Sequence, residues 1–262
     1  GYPSIFNPDI YIQEMLRQGK SLEDAREGGC SGCIEVGAFG KEAYILTGYL
    51  NVPKIIEITL NNGVNPLTGK QVSIKTGDPS GFKTYKELYD AFLKQLNYIV
   101  NQKVLVSNYI DRMFAKYSPA TFLSVVIEDC ISKGKDYYNG GPRYNTNYIQ
   151  CTGLGTVTDS LSVLKKHVFE DKTFSMDTLL NAVSKNFKGD EILRQTIINN
   201  TPFYGNDDDD ADDIALQVYN DLFEVIENKP NIKGESYHLN MLSTTCHVYF
   251  GKVMGATTNG RL

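Results

Sequence analysis

The chain has 262 residues, 41 % of them apolar with 17 Tyr and 12 Phe, enough to bury a core as one large domain or two ordinary ones. It holds no run of about 18 apolar residues, which excludes a membrane-spanning helix, and no basic stretch followed by an apolar one in GYPSIFNPD, so no secretory signal is visible. The net charge of −5 is concentrated in DDDDADD at 207–213; the other 25 acids nearly balance 26 bases, so no nucleic-acid partner is expected.

The first residue is Gly rather than Met, and the chain is therefore expected to begin inside a longer protein. NPDIYIQEMLRQG reads as a helix with Asn7 as N-cap, Pro8 in its first turn and Gly19 as its end. SLEDAREGG follows with Ser21 as cap and Gly28-Gly29 as a stop. AYILTGYL suits a short strand, and VPKIIEITLNNG suits a helix closed by Asn62-Gly63. The longest helical pattern begins after Thr84 and buries Leu88, Phe92, Leu96 and Ile99.

TFLSVVIEDCISKG has the pattern of a strand followed by a helix. A second such unit has a strand at Tyr148–Cys151, a glycine turn and a helix from about Thr158. Three helices are expected near 176–187, 190–199 and 211–228, and STTCHVYFGKVMG reads as a final strand and turn. Long helices between short buried strands predict an α/β architecture.

Five cysteines without an export signal indicate reduced thiols and a cytoplasmic protein. Only Cys30 and Cys33 are close in sequence, in GGCSGCIEVGAFGKEA. A C-x-x-C pair supplies half of a zinc or iron–sulfur site, but Cys130, Cys151 and Cys246 are isolated and no His completes a ligand set, so no metal is expected. A redox dithiol wants a helix starting at the motif, whereas here one ends before it.

In an extended GCIEV, Cys33 and Glu35 would project to one side, giving a thiol with a carboxyl beside it. The competing reading is a buried cysteine and a surface glutamate next to a helix end. CTGLGTVTDS carries G-x-G, but Thr158 replaces the third glycine of a dinucleotide loop, which favours a tight strand-to-helix turn. Counting from Asp207, positions 5 and 6 of a calcium loop would be Ala211 and Asp212, so the acidic run is read as a helix N-terminus. His167, His238 and His247 have no Ser or Asp placed for a recognisable triad.

GCIE, GAFGKEAYILTGYLNVPKIIEITLNNG, GGPRYNTNYIQCTGLGTVTDSL and TTCHVYFGKVMGATTNGR together resemble the glycyl radical enzymes of the pyruvate formate-lyase-like superfamily, especially the hydroxyproline-dehydrating type. The resemblance runs in order over essentially the whole chain. It implies an α/β fold, helix-rich, amounting to about one half of a ten-stranded α/β barrel. Residues 1–262 would form a single fragment of that catalytic domain. The R-V-x-G-[YF] loop that carries the radical glycine does not occur in the sequence, so the glycyl radical domain is expected to lie outside it.

By the same resemblance Cys33 is the thiyl residue and Glu35 the acid that assists loss of a hydroxyl. Tyr49 and Thr244 are implied to be substrate contacts, with Thr245 as the register alternative to Thr244. Phe39 and Tyr44 are expected in the core. The implied reaction converts trans-4-hydroxy-L-proline to pyrroline-5-carboxylate; the alternatives are another small substrate or a non-catalytic fragment. Glycerol- and choline-type relatives have proline where Val36 stands, which weakens those substrates. No bound cofactor is implied, the glycyl radical being installed by a radical SAM activating enzyme. The expected partners are that enzyme, a small-molecule substrate and a second copy in a full-length homodimer. Cys30 is not required by the family pattern and could form a disulfide with Cys33 in air.

Overall fold

The computed structural model describes residues 5–242 and 245–262. Its elements begin as local chemistry dictates. In α1 (Pro8–Arg17) the Asn7 side chain accepts the Asp9 N–H at 3.0 Å, and Ser21 accepts the Asp24 N–H at 3.1 Å to start α2 (Leu22–Arg26). A small hairpin follows, with β1 (Gly29–Cys30) antiparallel to β2 (Val36–Gly37). The predicted strand is β3 (Ile45–Asn51), and the predicted helix is α3 (Val52–Thr59). Asn62 and Gly63, both at positive φ, lead from α3 into a second hairpin, β4 (Val64–Asn65) with β5 (Lys70–Gln71).

The long helix is α4 (Tyr85–Tyr117), and Thr84 Oγ1 accepts the Glu87 N–H at its start. Its buried stripe runs Leu88, Phe92, Leu96 and Val100 in steps of four; Ile99, expected there, is only half-buried.

The expected strand in TFLSVVIEDCISKG is instead the helix α5 (Thr121–Val126), followed by left-handed Asp129 and the short α6 (Cys130–Lys133). Phe122, Val125 and Val126 are exposed, so the β-branched run reflects no buried strand. Next come β6 (Asn147–Thr152) and α7 (Leu154–Val163). The latter starts four residues before the expected Thr158 because Gly153, at φ 88°, makes the turn within one residue. A Cβ on Gly153 would stand 2.4 Å from Pro53, so only glycine fits.

A π-helical segment, Leu164–Glu170, extends α7, and α8 (Met176–Ser184), α9 (Glu191–Asn200) and α10 (Asp209–Ile226) match the three predicted helices. Asp209, Asp210 and Asp212 lie in the first turn of α10, where the helix dipole favours them. The last strand is β7 (Tyr237–Met241), upstream of the segment expected to be one; residues 246–252 of that segment form α11 (Cys246–Lys252). His238 and Asn240 of β7 are buried along with Tyr237, so its sequence shows no apolar–polar alternation.

The chain divides into two compact units. One comprises the residues up to Tyr49, Gln102–Gln150 and Ile226–Leu242; the other comprises Leu50–Asn101, Cys151–Val225 and the C-terminal segment to Leu262. The first unit holds most of the three-stranded sheet β3–β6–β7, with β6 in the middle and buried at every residue. Leading into β3, the Ala43 N–H and that of Ile45, its first residue, donate to the Tyr144 and Thr146 carbonyls at 2.9 Å, in parallel register. In the second unit Leu88, Phe92 and Leu96 of α4 are fully buried, and the Tyr89 hydroxyl donates to Asp221 of α10 at 2.5 Å.

Candidate active site

Cys33 and Glu35 lie in the tip between β1 and β2, in the first unit. Residues 32–34 bend, so the pair is set by a turn and not by the extended segment expected from the sequence. The Ser31 N–H donates to the Glu35 carbonyl at 2.8 Å and closes the tip. The Ser31 hydroxyl then donates to Glu35 Oε2 at 2.5 Å and accepts the Cys33 N–H at 3.4 Å. Glu35 is only 5 % exposed, and its other oxygen, Oε1, is buried with no hydrogen-bond partner among the described residues. Cys33 is half-buried and not in a disulfide. The tip thus carries a free thiol and, two residues on, a buried carboxyl with one uncommitted oxygen. Ser31, which contacts the Cys33 backbone and the Glu35 carboxyl, carries no signal in the sequence beyond a generic turn residue.

The base of the hairpin is tightly held. Met15, Ala25, Val36 and Tyr148 form a buried cluster beneath it, and the Tyr148 hydroxyl donates to the Val36 carbonyl at 2.9 Å. The backbones approach closely here: a Cβ on Gly28 would stand 2.5 Å from the Gly37 carbonyl oxygen, and one on Gly37 would stand 2.3 Å from the Tyr44 ring.

After β2, the Ala38 N–H donates to Glu42 Oε2 at 2.8 Å, and Thr146 donates to Oε1 at 2.5 Å. Glu42 pairs with Lys20 at 3.1 Å, with side-chain exposures of 0 % and 1 %. Removing one partner of such a pair strands a buried charge. Lys20→Met should therefore destabilise the protein by roughly 3–5 kcal/mol, and adding Glu42→Gln should return much of that loss. Urea unfolding midpoints of the two variants check this; a single variant as stable as wild type would refute it.

A second charged group fastens α2 to the turn after β2. Asp24 takes Lys41 at 2.6 Å, the Tyr144 hydroxyl at 2.8 Å and Arg143 at 3.2 Å. Lys41 above all, then Tyr144, Arg143 and Ser21, hold its carboxyl well below the usual range despite burial. A depressed folded-state value means that this stability is fully present above the unfolded value of about 4 and drains away as pH falls below it. Wild type should consequently lose more of its unfolding midpoint between about pH 5 and about pH 3 than Asp24→Asn does. Equal losses would contradict the assignment.

Tyr49 sits near the end of β3 with 38 % of its surface exposed. Thr244 lies outside the described residues; Thr245 is exposed at the start of α11. Phe39, expected in the core, is 49 % exposed, in the turn after β2 where its ring lies against Gly29. Tyr44 is partly buried, packed against the cluster of Met15, Ala25, Val36 and Tyr148. Cys30, on β1, is also a free thiol; burial above all pushes its pKa up, which works against the thiolate needed for a disulfide with Cys33.

Among the described residues no group of three or more His, Cys, Asp or Glu is placed to hold a metal ion, and no helix is long and apolar enough to cross a membrane.

Residues 1–251 match the family described as pyruvate formate lyase-like, and the chain belongs to that family. Its fold is that of part of the α/β barrel of the glycyl radical enzymes: it superposes on a glycyl radical enzyme from Archaeoglobus fulgidus with a TM-score of 0.90 at 31 % identity, over 97 % of this chain and 32 % of that one. Trans-4-hydroxy-L-proline dehydratase of Clostridioides difficile is 51 % identical over 262 residues, all of this chain and 33 % of that protein. The crystal structure of hydroxyproline dehydratase from the same organism, with trans-4-hydroxy-L-proline bound, superposes with a TM-score of 0.96 over 99 % of this chain and 33 % of that one. The chain therefore spans about a third of the length of the relatives it matches.

Proposed function

We propose that this chain is the cysteine-loop portion of the catalytic domain of a glycyl radical dehydratase that converts trans-4-hydroxy-L-proline to pyrroline-5-carboxylate. The observation that carries the reading is the β1–β2 tip, where a free half-buried Cys33 adjoins the buried Glu35 with Oε1 uncommitted. The 51 % identity to a hydroxyproline dehydratase supports the choice of substrate.

The residues divide the work as follows. Cys33 gives its hydrogen atom to a glycyl radical, which lies outside this chain and which a radical SAM activating enzyme installs. A thiol suits this exchange because its S–H bond is close in strength to an activated C–H bond, so hydrogen moves both ways. The Cys33 thiyl then takes hydrogen from the substrate carbon next to nitrogen. Hydroxide is a poor leaving group, so Glu35 delivers a proton from Oε1 as the C–O bond breaks and water departs. The ring nitrogen releases a proton that restores the acid, and the substrate radical takes its hydrogen back from Cys33. Tyr49 and Thr244 are assigned to hold the substrate. The full-length protein is assigned to the cytoplasm as a homodimer.

The test is an anaerobic assay of the full-length protein, activated by its radical SAM enzyme, with hydroxyproline and with glycerol, choline and arylacetates in parallel. Pyrroline-5-carboxylate from hydroxyproline alone is the expected product. Turnover of another member of the panel with hydroxyproline inert would overturn the substrate assignment.

A further inference from the structure

We infer that Ser31 is a positioning residue that decides which oxygen of Glu35 carries the proton delivered to the leaving hydroxyl. This rests on the dehydratase reading above. The Cys33 N–H occupies the lone-pair side of Ser31 Oγ, so the single hydroxyl proton is directed at Glu35 Oε2, 2.5 Å away. A neutral carboxylic acid has one carbonyl oxygen that accepts and one hydroxyl that donates. With Ser31 donating to Oε2, that oxygen is the carbonyl and the acid proton sits on Oε1, the buried oxygen with no partner among the described residues.

The same contact acts on rate. As the C–O bond breaks, the proton moves from Oε1 to the departing hydroxyl, water forms and a carboxylate is left behind. The Ser31 hydrogen bond then becomes charge-assisted and strengthens. An interaction that is stronger after proton transfer than before it lowers the barrier and leaves ground-state binding nearly alone. Hydrogen abstraction by Cys33 precedes this step and does not need Ser31.

The separation of the two steps supplies the test. The full-length protein is activated anaerobically as wild type, Ser31→Ala and Ser31→Thr. The glycyl radical is counted by electron paramagnetic resonance, rates are expressed per radical so that misfolded protein drops out, and hydroxyproline is offered in D2O. For Ser31→Ala, kcat should fall about 10–100-fold with KM within about threefold, the size expected for one hydrogen bond to a charged group.

Abstraction should continue in this variant. The substrate radical, slow to lose water, takes deuterium from the exchanged Cys33 thiol, and recovered hydroxyproline should carry label at the carbon next to nitrogen. Ser31→Thr, which keeps the hydroxyl, should recover most of kcat. The inference is overturned if Ser31→Ala dehydrates at the wild-type rate per radical, if it loses label exchange and dehydration together, or if Ser31→Thr behaves like Ser31→Ala. A wild type that holds its radical yet neither dehydrates nor labels hydroxyproline defeats the underlying dehydratase reading instead, and the role of Ser31 with it.

Discussion

Cys33→Ala in the full-length protein should form no pyrroline-5-carboxylate while its glycyl radical persists at the wild-type level. On the proposed reading the radical is installed elsewhere and does not depend on this side chain, whereas hydrogen passes between it and the substrate through the Cys33 sulfur. Cys33→Ser should be as inactive, because an O–H bond is much stronger than the C–H bond to be broken. That second variant separates chemistry from packing, since serine is nearly isosteric. Cys33 is a half-buried residue at a hairpin tip, so either change should move the unfolding midpoint little. Product above background from either variant would remove the thiol from the mechanism.

Glu35→Gln is expected to lower kcat by about 10²–10⁴-fold, the usual contribution of a positioned general acid. The amide preserves shape, and its oxygen can still accept the Ser31 hydroxyl. Its N–H groups, however, are far too weakly acidic to release a proton at the place where Glu35 Oε1 now lies buried without a partner. The stability effect should be small: the substitution exchanges one unpartnered buried polar group for another, so the variant should unfold at about the same urea concentration as wild type. Activity and unfolding midpoint measured on one preparation check both halves. A variant that loses stability and activity in proportion would make Glu35 a structural residue.

What the sequence made legible follows the range of each interaction. Asn7 with Pro8, and Ser21, announce helix starts because a cap involves only three or four neighbouring residues. The turn at Gly153 is similarly local. The hairpin around Cys33 escaped because each of its strands is two residues long, too short to show a period, and its glycines read equally well as a helix stop.

The buried pair of Lys20 with Glu42 escaped for another reason. Its members are far apart in sequence, and charged residues are ordinarily placed on the surface. β7 was missed because His238 and Asn240 are buried polar groups that erase the alternation a strand normally advertises. Of the candidate site, Cys33 and Glu35 came from spacing and resemblance, whereas Ser31 became visible only when the turn put its hydroxyl between them.

The most direct measurement is a crystal structure of the full-length protein with trans-4-hydroxy-L-proline bound. The account predicts Cys33 Sγ in van der Waals contact with the ring carbon beside nitrogen, at about 3.5–4 Å, and the substrate hydroxyl hydrogen-bonded to Glu35 Oε1. A ligand whose hydroxyl meets some other acid, or whose ring lies out of reach of Cys33, would contradict it.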